Sequence, residues 1–260
     1  MSNNPDFNEK NGDEVIAEFE LNEYNNHLLQ KALEQKNTDV VLAILRKDDF
    51  ALDATIRIGT DNLLMYAIRH DLDDVTDALF KQPDRVLKDL ITYTLPRNYR
   101  YEAIINSFTL AISKNKPDIL TRIVESGFTC PRKDADIVRA ASISLEMCKA
   151  FPWDEESVNY TTKDVYAGMD SYKSVSLIEN LLENQLWDNA NFLVRHDAFN
   201  PFYLNSKYAY RSYKVARQLS NKHSEAKEIS DIILRRIEEL NPKKAKKLKK
   251  GFFGLGKHKL

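Results

Sequence analysis

Apolar positions along this chain do not follow one continuous period; they recur as a spaced block. Between Asn62 and Phe80 the stretch NLLMYAIRHDLDDVTDALF sets Leu64, Ala67 and Ile68 at i, i+3 and i+4. Five residues later come Asp74-Val75, and three after that Leu79-Phe80. The first set marks one face of a short helix and the second set marks one face of another. The same block reads Leu29, Ala32, Leu33, then Asp39-Val40, then Ile44-Leu45 upstream, and Phe108, Ala111, Ile112, then Asp118-Ile119, then Ile123-Val124 downstream. Three copies at one internal spacing predict helix pairs near residues 27–34 and 38–46, 63–70 and 74–81, and 107–114 and 118–125. A pair this short cannot bury its apolar stripe alone, so the copies are expected to stack. An alanine in the middle of each first helix lets a neighbour approach closely, and the aspartate ahead of each second helix suits a helix N-terminus through capping and the dipole.

The rest of the chain fits around these copies. Residues 1–20 are polar and acidic, and are expected to be largely disordered, with a capping helix near 14–23 carried by Val15, Ile16 and Phe19. Gly59 supplies turn freedom in the connector between the first two copies. Between the second and third, Val86, Leu87, Leu90 and Ile91 predict an inserted helix that Pro96 breaks. Tyr93, Tyr99, Arg100 and Tyr101 follow from it, a residue mix suited to interface anchors or to packing along the seam. After Cys130, Ile137 to Cys148 predict a helix or helix pair, and FPWDEESVNYTTKDVYAGMDSYKS reads as an irregular connection or a distorted unit. Ser176 to Val194 restore the block with Leu181 in the alanine position, and Ile229 to Leu240 form a strongly periodic terminal helix.

With the blocks in hand, the sequence resembles the ankyrin-repeat family. Asn62 to Ala67 is similar to that family's T-P-L-H-x-A box, and Val75, Leu79 and Phe80 fall where its second helix carries paired aliphatics. Gly127-Phe128-Thr129-Cys130 falls where the family writes G-A-D-V. The Thr-Pro pair is absent, and Lys36, Asp71 and Asn115 stand where the family has its helix-connecting glycine. The resemblance implies an all-α, ankyrin-like α-solenoid over residues 21–200, a C-terminal helical cap over 201–241 and a basic tail over 242–260. It implies binding of another protein through a concave face. The matching positions are Lys36, Asn37, Asp71, Leu72, Asn115 and Lys116, with Tyr99, Arg100 and Tyr101 along an edge.

Composition changes this picture at one place. The chain has 260 residues, 43% hydrophobic and 30% charged, with a net charge of −1, ordinary values for a globular protein. From Lys243 to Lys259, however, stand eight lysines and no acid, so the remainder carries a net −9. Lys243, Lys244, Lys246, Lys247, Lys249 and Lys250 with Phe252 and Phe253 are expected to form a mobile contact tail. Its readings are a solvated tether, an address tag, an anionic membrane contact or a nucleic-acid contact.

Candidate chemistry is sparse. No phosphate-cradling glycine loop, nucleophile elbow or H-E-x-x-H occurs. The five histidines lack metal-ligand spacing, and no cofactor is expected. Asp48-Asp49 and Asp73-Asp74 are carboxylate pairs at helix ends, where acids have a sufficient structural reason. Cys130 and Cys148 fit no disulfide framework, and there is no signal peptide or long apolar run, so an intracellular, cytoplasmic protein is expected. Delivery into a host cell fits the same pattern. The leading expectation is a protein-interaction module: an adaptor, inhibitor or delivered effector. The alternative is a small enzyme with its site within residues 150–220.

Overall fold

A computed structural model describes residues 25–47, 50–95, 105–130, 134–163, 174–203 and 210–253. These residues form fifteen helices and four short strands, an all-α fold. They divide into two compact units, Met1–Lys133 and Asp134–Leu260. The capping helix expected at 14–23, Asp48-Asp49, Pro96 and the Tyr99-Arg100-Tyr101 segment lie outside the described residues.

In the first unit, α1 (Asn25–Glu34) pairs with α2 (Thr38–Leu45), α3 (Leu63–Arg69) with α4 (Asp73–Leu79), and α6 (Ser107–Ser113) with α7 (Pro117–Glu125). α5 (Asp84–Thr92) is the inserted helix; it packs against both α3 and α6 through Leu87, Leu90 and Ile91. It ends at Thr92, with Tyr93 already extended. α2 packs on α4, and α3 on α6. The block alanines Ala32, Ala67 and Ala111 are each fully buried. A two-stranded antiparallel hairpin, β1 (Arg57–Ile58) and β2 (Asp61–Asn62), leads directly into α3, with Gly59 in its turn at φ 61°. Asp61, itself buried, takes both the Nε and a terminal nitrogen of Arg69 at 2.5 and 2.9 Å and so fastens hairpin to helix.

The turn inside each pair is the most regular feature of the chain. Lys36, Asp71, Asn115 and Gln185 adopt φ of 56°, 56°, 52° and 59°, a left-handed conformation that non-glycine residues visit at a cost. At each one the next residue's N–H donates back to the carbonyl of the block alanine or its substitute: Asn37 to Ala32, Leu72 to Ala67, Lys116 to Ala111 and Leu186 to Leu181, at 2.9 to 3.0 Å. This is the bond pattern of a helix end closed by a left-handed residue. The alanine thus has a second job beyond close packing, since its carbonyl anchors the reversal.

The second unit holds α8 (Asp134–Ile143), α9 (Leu145–Ala150), α10 (Glu155–Val158), a hairpin of β3 (Thr161–Lys163) and β4 (Ser174–Ser176), α11 (Leu177–Glu183), α12 (Trp187–Val194), α13 (Arg211–Leu219), α14 (Ser224–Leu240) and α15 (Pro242–Phe253). α11 packs on both α8 and α13, and α12 on both α9 and α14. The stretch read as irregular therefore carries a short helix and β3, and ends at the first residue of β4, the strand that feeds α11 as β2 feeds α3.

Two expectations need correcting. Asp39, Asp74 and Asp118 lie inside the first turn of their helices, where the dipole favours them, but they do not cap. α2 is capped by Asn37, whose side chain accepts from the Val40 N–H, and α7 begins with Pro117. The clearest caps belong to the first helices: Asn62, Asn106 and Ser176 accept from the N–H three residues on. The basic segment is helical through Phe253 in place of a mobile tail, because Ala245 finds a buried seat and α15 packs against α14.

Candidate partner-binding surface

Within the first unit, α4 and α7 border an open cleft of about 410 Å3 lined by Asp73, Asp77, Lys116, Ile119 and Arg122 among others. Charges of both signs meet across it. Lys116 Nζ lies 3.2 Å from Asp71 and 3.0 Å from Asp73, and Lys114 adds a 3.7 Å contact to Asp71. Arg122 reaches over from α7 to pair with Asp77 while its guanidinium sits 4.0 Å above the Phe80 ring. The Lys116 contact holds the Asp71 carboxyl below the usual range, and Asp73, followed by Asp71, raises the Lys116 ammonium. All these groups are partly or wholly exposed, so solvent screens the pairs and they contribute orientation more than stability.

The six positions expected to bind a partner are therefore brought to one kind of place, the reversals between paired helices, but they are not equivalent. Lys36 and Asn115 are exposed on left-handed turns. Asn37 is occupied as a helix cap. Leu72 is half-buried at the start of α4. Asp71 and Lys116 hold each other, so they act first as a tie between neighbouring helix pairs. Next to them His70 stacks on Tyr66, ring centroids 4.2 Å apart, and burial followed by the Lys36 and Arg69 charges lowers its pKa. No family model, curated protein or solved structure matches this chain. The arrangement has to be read from its own chemistry.

Tyr93, the one described aromatic of the insert, packs rather than projects. Arg57 lies 3.8 Å over its ring and its hydroxyl donates to the Thr60 carbonyl at 3.3 Å. Such contacts make Tyr93 a buttress for the first hairpin.

The region proposed for an enzyme site also has a polar centre. Glu179 is 1% exposed, accepts from the Ser176 N–H at 2.8 Å and lies 2.8 Å from Arg211 Nε, although that N–H is not aimed along the contact. Ser176 and Ser212 hydroxyls meet at 2.9 Å. Burial pushes the Glu179 carboxyl up, against the Ser176 and Arg211 contributions. Yet Glu179 and Ser176 form a reciprocal capping box at the start of α11. The hollow beside them measures about 20 Å3, room for about one water. The group is explained by closing a helix end. A further cleft of about 290 Å3 between α12 and α14 mixes Arg195, Arg235 and Arg236 with Asp197 and Glu239. Among the described residues no three His, Cys, Asp or Glu side chains are grouped to hold a metal, and no helix is long and apolar enough to cross a membrane.

Sequence pattern alone missed Asn62 and Asn189. Asn62 is fully buried, caps α3 and donates to the Leu90 carbonyl at 2.7 Å, linking the insert to the second pair. Asn189 donates to Ala141 and Ser144 carbonyls at 2.7 and 3.2 Å. For Asn189 the available signal was a polar residue in the valine position of its block; for Asn62 it was the recurrence of a polar residue, Asn106 and Ser176, five residues ahead of the alanine position.

Proposed function

We propose that the chain is a protein-binding scaffold whose helix pairs repeat in an ankyrin-like manner and stack as a solenoid. The observation that carries this reading is the recurrence, at four turns, of one left-handed residue and one backbone bond. Identical reversals give these four pairs one internal geometry, and two rows of the second unit, α8, α11, α13 and α9, α12, α14, are compatible with stacking. The partner surface in the first unit runs along the exposed turns at Lys36 and Asn115 and into the α4–α7 cleft. An open, charge-alternating cleft suits a protein segment better than a small substrate, which needs enclosure. Cys130 and Cys148 are both free thiols, which fits a reducing compartment, as an adaptor or a delivered effector would meet.

The test is affinity capture with the intact chain beside Lys36→Glu and Asn115→Arg, each verified by circular dichroism. A specific partner should be retained by the parent and reduced at least tenfold by either variant. Equal capture by all three would remove the turn surface from the proposal. Lys116 is a poor probe, since reversing it also breaks its contacts to Asp71 and Asp73.

A further inference from the structure

The structure changes what the lysine cluster can do. On α15, Lys246, Lys243, Lys247 and Lys244 are all exposed, and at 100° per residue they fan over about 160° of the helix. Ala245, 1% exposed, points opposite the middle of that fan, and Leu248 is half-buried beside it. The described apolar side of the helix is therefore spent on packing within the second unit, and what faces outward is cationic. Lys249, on the flank, is already held by Glu238 at 2.9 Å, while Lys244 leans 5.3 Å from the Tyr210 ring centre. Lys243, Lys246 and Lys247 make no ion pair with another described residue.

We infer that α15 is a docking element for duplex DNA, bound through phosphates and without base reading. Shape and charge point the same way. A helix with its side chains is about 10–12 Å across and the B-form major groove is about 12 Å wide. Lysines on both flanks of such a helix can reach the phosphates of both groove walls. A membrane-binding amphipathic helix needs an apolar face for the hydrocarbon boundary, and here Ala245 is already buried. With the exposed lysines engaged on phosphates, no other described α15 side chain is suited to bidentate base contacts, so binding is independent of sequence. The net −9 of the remaining chain opposes the approach of a polyanion, which keeps binding weak, in the range of about 10⁻⁴ to 10⁻⁶ M typical of non-specific complexes.

The experiment uses the full chain and a labelled 20-base-pair duplex of mixed sequence, followed by anisotropy between 50 and 200 mM salt. Four lysines on phosphates give a slope of log K against log salt of about −3.6. Replacing Lys243, Lys244, Lys246 and Lys247 by glutamine keeps a helix former at each position and should weaken binding at least tenfold with circular dichroism unchanged. Vesicles containing phosphatidylserine and a single strand of equal length are the comparison ligands. The inference is overturned by an absence of duplex binding at 50 mM salt or by equal binding of the quadruple variant. It is also overturned if vesicles or single strand are bound as tightly as the duplex.

Discussion

At the scale of single residues, the four left-handed turn positions are where the chain departs most from what local preference would choose. A side chain at φ near +57° costs about 1–2 kcal/mol relative to the right-handed region, and glycine escapes that cost while losing more entropy on folding. The exposed side chains of Gln185 and Lys36 make no hydrogen bond or ion pair with another described residue that glycine would forfeit, so Gln185→Gly and Lys36→Gly should each stabilise by up to about 1 kcal/mol. Urea midpoints read by circular dichroism check this; a loss of stability in both would mean the side chains, not the backbone, hold these turns. Asp71→Gly is the contrasting case, because it also releases Lys116 and Lys114. Asn62 lies at the other extreme. Asn62→Ala removes a cap and takes away the amide donor of the buried Leu90 carbonyl, with an expected cost of about 1–3 kcal/mol.

The same scale carries a pH prediction. The Glu179 carboxyl is raised by burial above its ordinary 4.5. An acid raised in the folded chain holds its proton more tightly there. Its stabilising contribution is therefore complete below 4.5 and is lost as pH rises through the folded value. Glu179→Gln keeps an oxygen for the Ser176 N–H and abolishes this titration. The stability difference between variant and parent should shift in the variant's favour between pH 4.5 and 7. A difference constant with pH would mean that the carboxyl titrates alike in folded and unfolded chains. Asp71 works in the opposite sense, its contribution falling away as pH drops below 3.8.

Among elements, legibility in the sequence tracked redundancy of signal. The six helices of the three tight copies lie within about two residues of the ranges their spacing predicts, because the apolar period recurs three times and each second helix adds an acidic first turn. Where one signal stood alone, the reading failed. Residues 151–174 have little apolar period, yet Asp154 and Ser157 build a capping box and Thr161–Lys163 pair with Ser174–Ser176. The asparagine caps at 62 and 106 stand just ahead of the apolar positions of their blocks, five residues before the block alanine, where the apolar period carries no signal. Of the partner surface, sequence placed Lys36 and Asn115 at turns but could not see that Asp71 and Lys116 spend their charge on each other across 45 residues. Ala67 offers a test at this scale. It is fully buried and its carbonyl receives the Leu72 N–H, so Ala67→Leu should overpack the α3 neighbourhood and cost about 1–3 kcal/mol. An unchanged melting temperature would show slack where the structure has none.

For the whole molecule, the decisive asymmetry is charge: eight lysines near one end against a body of net −9. A free tail would use that asymmetry only as loose attraction, screened over about 8 Å at physiological salt. A folded α15 uses it locally, through Lys249 on Glu238, and adds the burial of Ala245 and part of Leu248. Ending the chain at Asn241 removes both, and at about 25 cal/mol per Å2 of apolar surface the loss is about 1–2 kcal/mol. The readout is available without labels. Both tryptophans, Trp153 and Trp187, belong to the second unit, and Trp187 stacks on His223, one residue ahead of α14, at 5.1 Å. Fluorescence-detected urea unfolding of the shortened chain should show a lower midpoint than the full chain, at 0.5 M salt as at low salt, since apolar packing is not screened. A midpoint unchanged by the truncation would mean the lysine segment adds nothing to the fold, and a difference that vanishes in salt would assign its whole contribution to charge.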